Sequence, residues 1–243
     1  MNTSFGGSSL TSLIWIGIVL FIVLLIVYII NAVVNAKKEE KRCKDIENYC
    51  KKNNLQYHEV VKDFPPISKN FSVFSNKGLD VRYYAGMEGE HGDNKFYLFD
   101  YTYDSGGGKS RIVYDFTICL INNNNAKMPQ FFVRDENSVM DSIGKLFGGQ
   151  DINFSEDEVF SPKFVLQGLS EEAVRNFFDS KVRTAFVNNH NTGFTYEGKL
   201  DCLMLFVNGR TDIDFRIKML TSAEKIMESI VSKENSDNTK VNS

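Results

Sequence analysis

The spacing of apolar and polar positions separates the chain into an unbroken apolar run, a polar helical stretch and a long mixed region. The run is Leu13 to Ile30, LIWIGIVLFIVLLIVYII, eighteen consecutive residues without a charge. As a helix it would be ~27 Å long. With its mildly polar flanks, Leu10 to Val34, it reaches across a ~30 Å hydrocarbon core. A helix satisfies its own backbone hydrogen bonds, which is what lipid demands. Trp15 and Tyr28 stand near the two ends, where amphipathic rings favour the interface. The expectation is a transmembrane helix over residues 13–34 behind a short N-terminus, 1–12. A buried core helix of this length would show a polar face. A cleaved signal peptide is the other alternative, since Val34-Asn35-Ala36 fits a small-x-small site. Against it, residues 1–12 hold no Lys or Arg, and the run exceeds the ~7–15 residues of a signal core.

From Lys37 to Asn53 the chain is polar with helical spacing. Glu40 and Lys44, and Glu47 and Lys51, are i,i+4 pairs in the favourable order. Cys43, Ile46 and Cys50 share one face, too few residues for a dimer seam. This predicts a solvated stalk over 35–54 that extends the membrane helix. Pro65-Pro66 closes it, because proline breaks helical hydrogen bonding.

Strand patterns follow. Val81, Tyr83, Ala85 and Met87 alternate with Arg82, Tyr84, Gly86 and Glu88. Lys95–Tyr103 is aromatic-rich and strand-prone. In Ser110–Ile121, Ile112, Tyr114, Phe116, Ile118 and Leu120 define one buried face, with Asp115 and Thr117 on a wetter one. Gly106-Gly107-Gly108-Lys109 between these strands reads as a hairpin turn. It lacks the spacing and the following helix of a phosphate loop. After the Asn122–Asn125 turn come a short strand at Gln130–Val133 and a helix at Ser138–Phe147. Short extended pieces are expected at Asp151–Phe154 and Lys163–Leu166. A helix capped by Ser170 carries the stripe Val174, Phe177, Phe178, Val182, Ala185 and Phe186. Gly193–Val207 reads as a hairpin and Met219–Val231 as a last helix, with residues 213–217 ambiguous between strand and helix. The polar tail, 233–243, is expected to be disordered. Strands in hairpins and helices with single stripes make an α+β domain over residues 55–232, an antiparallel sheet with about three helices on it.

Charge fixes the expected setting. Five basic residues lie between Lys37 and Lys44, whereas residues 1–12 have none. By the positive-inside rule the N-terminus faces out and the domain is cytoplasmic at the plasma membrane. Cys43, Cys50, Cys119 and Cys202 follow no disulfide framework, in keeping with a reducing compartment. With 28 Lys+Arg against 31 Asp+Glu, the chain lacks the basic excess of a nucleic-acid binder.

Chemistry is sparsely signalled. His58, His91 and His190 show no metal-ligand spacing, so no metal or cofactor is expected. The sequons at Asn2, Asn70 and Asn153 are short, common patterns. Asp100 and Asp115 are acids within apolar strands, expected to pair across a partly exposed face. Tyr83, Tyr84, Tyr97, Tyr101 and Tyr103 cluster on adjacent strands and offer a face for a protein or peptide partner. The bilayer contacts residues 13–34. A membrane-tethered binding module is the leading reading. The alternative is an anchored enzyme, such as a hydrolase, acting around Asp100, Asp115 or His91; no catalytic residue is otherwise identifiable.

One further pattern stands out. Phe99-Asp100-Tyr101, Pro129-x-Phe131, Asp151-Ile152-Asn153-Phe154, Phe160-Ser161-x-x-Phe164-x-Leu166-x-Gly168 and Val174-Arg175-x-x-Phe178 follow in order over about residues 64–231. This resembles a prokaryotic family of conserved hypothetical proteins, single-helix or soluble. An acidic residue often stands there where this chain has Asn153. The resemblance implies architecture and a prokaryotic setting, and transfers no activity or site residue.

Overall fold

The apolar run forms part of one long helix, α1 (Gly7–Lys52). The structure, a computed structural model, describes residues 7–62, 71–75, 78–106, 111–136, 151–190 and 192–241. The helix expected at Ser138–Phe147, the Pro65-Pro66 break and all but Gly106 of the Gly106-Gly107-Gly108-Lys109 turn fall outside them. The chain divides into two units at Asp45/Ile46, inside α1. In the first unit, an 18-residue window reaches a mean hydropathy of 3.3 and is fully exposed, so α1 is long and apolar enough to cross a membrane.

The second unit is α+β. Its strands are β1 (Gln56–Val60), β2 (Leu79–His91), β3 (Asn94–Ser105), β4 (Ile112–Asn122), β5 (Met128–Asp135), β6 (Phe164–Gly168), β7 (Thr195–Leu200) and β8 (Cys202–Asn208). They form one antiparallel sheet in the order β1-β2-β3-β4-β8-β7-β5-β6. Its helices are α2 (Glu171–Phe177), α3 (Ser180–Val187) and α4 (Ile213–Val241). Helix α4 packs on β3, β4 and β8, and α2 packs on β5 and β6. A single turn of 3-10 helix, Ser72–Phe74, belongs to the opposite face.

Several expectations are sharpened. Ile46 and Cys50 are fully buried, so the last turns of α1 belong to the core of the second unit and are not a solvated stalk. The alternation in β2 breaks at a bulge between Tyr84 and Met87, where Ala85 adopts φ +49°, and Ala85, Gly86 and Met87 are buried in succession. On β4, Ile112 and Tyr114 are exposed, while Phe116, Ile118 and Leu120 are buried. The supposedly wetter face also goes dry from Thr117 to Ile121, because α4 covers it. Ser170 does cap a helix, accepting from the Ala173 N–H, but the stripe belongs to two helices. Asp179 takes the Val182 N–H and starts α3 afresh. Residues 213–217 are the first turn of α4, which runs on to Val241 through the tail expected to be disordered. Asp151–Phe154 is not a ladder strand. It crosses the β6 edge with the Ile152 N–H on the Leu166 carbonyl at 2.7 Å, while the Asp151 carboxylate takes the Leu166 N–H at 3.0 Å.

Candidate functional site

Of the three residues nominated by sequence, Asp100 and Asp115 occupy diagonal positions on one face of β3 and β4, each held by its own arginine, and His91 lies at the β2–β3 turn. Asp100 is not on an exposed face: it points under α4, fully buried. Arg216, also fully buried, donates from one nitrogen to Asp100 Oδ1 at 2.5 Å and from another to the Ala85 carbonyl at 2.5 Å, at the β2 bulge. The Thr117 hydroxyl adds a bond to the same carboxylate at 3.2 Å. A carboxylate this dry persists only beside a cation. The pair ties α4 to β2, β3 and β4.

Asp115 is half-buried, as expected of the wetter end of its strand. It accepts from the Thr102 hydroxyl at 2.6 Å and from the Arg210 guanidinium at 3.1 and 3.2 Å. Arg210 lies 4.7 Å over the Tyr84 ring. Burial pushes the Tyr84 phenol up, against the opposing pull of its bond with Thr102. His91 is exposed beside the β2–β3 turn, its Nδ1 2.6 Å from Glu224 on α4. Among the described residues, no group of three or more His, Cys, Asp or Glu is placed to hold a metal. Cys119 and Cys202 are free but buried, and burial drives the Cys119 thiol well above its ordinary range, so neither is a ready nucleophile.

The tyrosine cluster divides between the faces. Tyr101 and Tyr103 are buried in the core opposite α4, with Phe99, Phe116 and Phe132. Tyr83 and Tyr97 sit half-buried at its margin. Tyr84 pairs in register with Asp100 and so belongs to the helix-covered face. The 3-10 turn covers part of the aromatic face with its own ring: Phe74 lies 5.1 Å from Tyr101 and 6.4 Å from both Phe99 and Tyr83.

Beside this turn, where β1, β2 and β3 meet, is a recess of about 360 Å³. Val61, Met87, Tyr97 and Phe99 give it apolar walls; His58, Lys62 and Glu88 add charge or hydrogen-bonding capacity. Glu88 is shared between His58 at 3.1 Å and Lys95 at 3.3 Å. Gly86 keeps β1 close, since a Cβ there would fall 2.7 Å from Val61 Cγ2. A second hollow of about 600 Å³ lies between Met128, Pro129, Phe177 and Lys233. There Lys233 donates to the Asn176 and Phe177 carbonyls at the end of α2. None of the nominated acids lines either one.

One residue went unnoticed in the sequence. Glu197 in β7 is fully buried on the aromatic face, in register with Phe132 and Met204. Its Oε2 accepts from the Ser72 N–H at 2.9 Å and the Ser72 hydroxyl at 2.5 Å. Its Oε1 has no hydrogen-bond partner among the described residues. Burial raises the carboxyl to about 7, with Ser72 and Lys199 pulling the other way. The available signal was parity: Glu197 alternates with Tyr196 and Gly198 in a strand whose two faces are both dry.

No protein-family model and no curated protein matches the sequence. Among solved structures, the crystal structure of the mycobacterial trehalose monomycolate transport factor A, TtfA, is similar with a TM-score of 0.51 at 11% identity, over 77% of this chain and 93% of that one. That likeness is one of fold: the α+β arrangement described above is shared with a protein of very different sequence.

Proposed function

We propose that this chain is a single-pass membrane protein of the plasma membrane, N-terminus outside, whose cytoplasmic α+β domain is a binding module. The prokaryotic setting implied by the sequence resemblance belongs to the same proposal. The observation that carries the binding reading is the apolar-walled recess at β1–β3, set apart from acids that are already committed to Arg216 and Arg210. Such a recess suits a ligand with an apolar chain and a polar end that meets His58, Lys62 or Glu88. The orientation is supported by the five basic residues of Lys37–Lys44. The name of TtfA connects a protein of this fold to trehalose monomycolate transport, which supports a membrane-associated role here.

The test is photolabelling of the full chain in phospholipid vesicles with a diazirine-bearing fatty acid, followed by peptide mapping. Label in peptides covering residues 58–62 and 86–99, beyond that in the membrane helix, is the expected result. Label confined to residues 13–34 overturns the reading. Orientation needs an accessible reporter, since Cys119 and Cys202 are buried. Leu169, 70% exposed, serves as Leu169→Cys. On intact cells it should resist an impermeant maleimide until the membrane is opened.

A further inference from the structure

We propose that the Ser72–Glu197 contact is a proton-controlled latch: it holds the Phe71–Phe74 strap on the aromatic face, and loss of the Glu197 proton lets the strap lift beside the recess. The strap carries Phe71 and Val73 into the core and lays Phe74 against Phe99. Phe99 also lines the recess, so strap and recess share a wall. Ser72 joins this strap to Glu197 through both its N–H and its hydroxyl.

The protonated acid suits this site. Oε2 takes the two Ser72 bonds, and the proton on Oε1 leaves the group neutral in dry surroundings. The ionised acid does not, because Oε1 has no donor in reach and its charge is fully buried. Facing groups offer little relief. Lys199, two residues along β7 on the same side, is the charged group that acts on Glu197. Phe132 of β5, Met204 of β8 and Gln167 of β6 share this face without charge, and the Gln167 amide oxygen is itself buried without a partner. Burial already places the titration near neutrality, at about 7. The Ser72 donors favour the ionised form but reach Oε2 alone, so admitting water beneath a lifted strap is the local way to satisfy the buried charge and Oε1. The effect on ligand entry rests on the binding role proposed for the recess; the latch itself does not.

The experiment uses the full chain in detergent micelles with Trp15→Phe and Phe74→Trp, leaving the strap as the sole tryptophan reporter. Its emission should shift to the red as pH rises, with a midpoint near pH 7, the opening growing about tenfold between pH 6 and pH 8 if it follows the ionised fraction. Adding Glu197→Gln, which keeps the shape and cannot ionise, should hold the emission blue throughout. Adding Ser72→Ala should leave it red at both ends. Hydrogen exchange of the peptide containing Ser72 in the unsubstituted chain, corrected for intrinsic rates, should follow the same curve. A flat emission and exchange profile overturns the latch, as does an unchanged transition in the Glu197→Gln background. Fatty-acid photolabelling of the recess across the same range separates the two proposals. Titration of the strap without label defeats the binding reading and leaves the latch, and label without titration does the reverse.

Discussion

The two faces of the sheet each bury an acid, and they do it by different physical means. On the face under α4, Asp100 is matched by the Arg216 guanidinium, with Thr117 completing the contact. On the aromatic face, Glu197 meets a serine with no cation within bonding distance among the described residues, and burial raises its carboxyl to about 7, so that a proton can neutralise it. A paired charge fixes two elements together at every pH where both partners ionise. A neutral acid makes its contact conditional on the proton. Rigidity therefore concentrates on one side of the sheet and responsiveness on the other.

The largest expected effect is on the paired side. Asp100→Asn strands the Arg216 charge in a dry site and should cost about 3–5 kcal/mol in urea unfolding of the full chain in detergent. Asp100→Leu with Arg216→Met removes both charges together and should cost clearly less than the two single changes summed. Simple additivity would show that the two residues do not act as a pair. Phe116→Ala, 4% exposed in the aromatic core, should cost a similar ~3–5 kcal/mol by leaving a cavity. That loss should not vary with pH, which distinguishes packing on this face from titration.

Glu197→Gln comes next, and its sign depends on pH. The folded-state value, about 7, lies above the ordinary 4.5. The folded protein thus holds a proton that the unfolded chain has released. Below about pH 4.5 both states are protonated and the group leaves stability unchanged. Between there and pH 7 the parent should lose stability at up to about 1.4 kcal/mol per pH unit. Glu197→Gln removes this slope, so it should be the more stable protein at pH 8 by about 3 kcal/mol and show no such gain at pH 4.5. Equal stability offsets at the two pH values would break the comparison. The smallest effect is at the margin: Asp115→Asn weakens a half-exposed pair with Arg210 and should cost no more than about 1 kcal/mol.

Much of this architecture was legible because local rules govern it. The β3–β4 and β7–β8 hairpins, the Ser170 cap and the apolar run each follow from residues a few positions apart. What was not legible depends on what lies across the fold. Asp100 was read as partly exposed because a lone acid in a strand usually is. Only the arrival of Arg216, 116 positions later, makes its burial tolerable. Arg216 itself lay in the stretch whose alternation suited strand and helix alike. Asp179 cut a continuous apolar stripe in two because its side chain competes for the α3 N-terminal amides. Tyr84 stands apart from the other tyrosines by ordinary alternation with Tyr83, whereas the parity of Met87 and Glu88 was hidden, because the bulge at Ala85 has no glycine or proline at its positive-φ position to announce it.

The Asp151–Phe154 crossing has a consequence for self-association. An open sheet can grow by recruiting another chain's strand at either edge. At β6, the Leu166 N–H and carbonyl that an incoming strand would need are already taken by Asp151 and Ile152. The opposite edge, β1, is five residues long and places exposed Glu59 and partly exposed His58 along it. One end of the sheet is stoppered and the other is short and charged. The sheet is thereby kept from growing edge to edge, even at high local density.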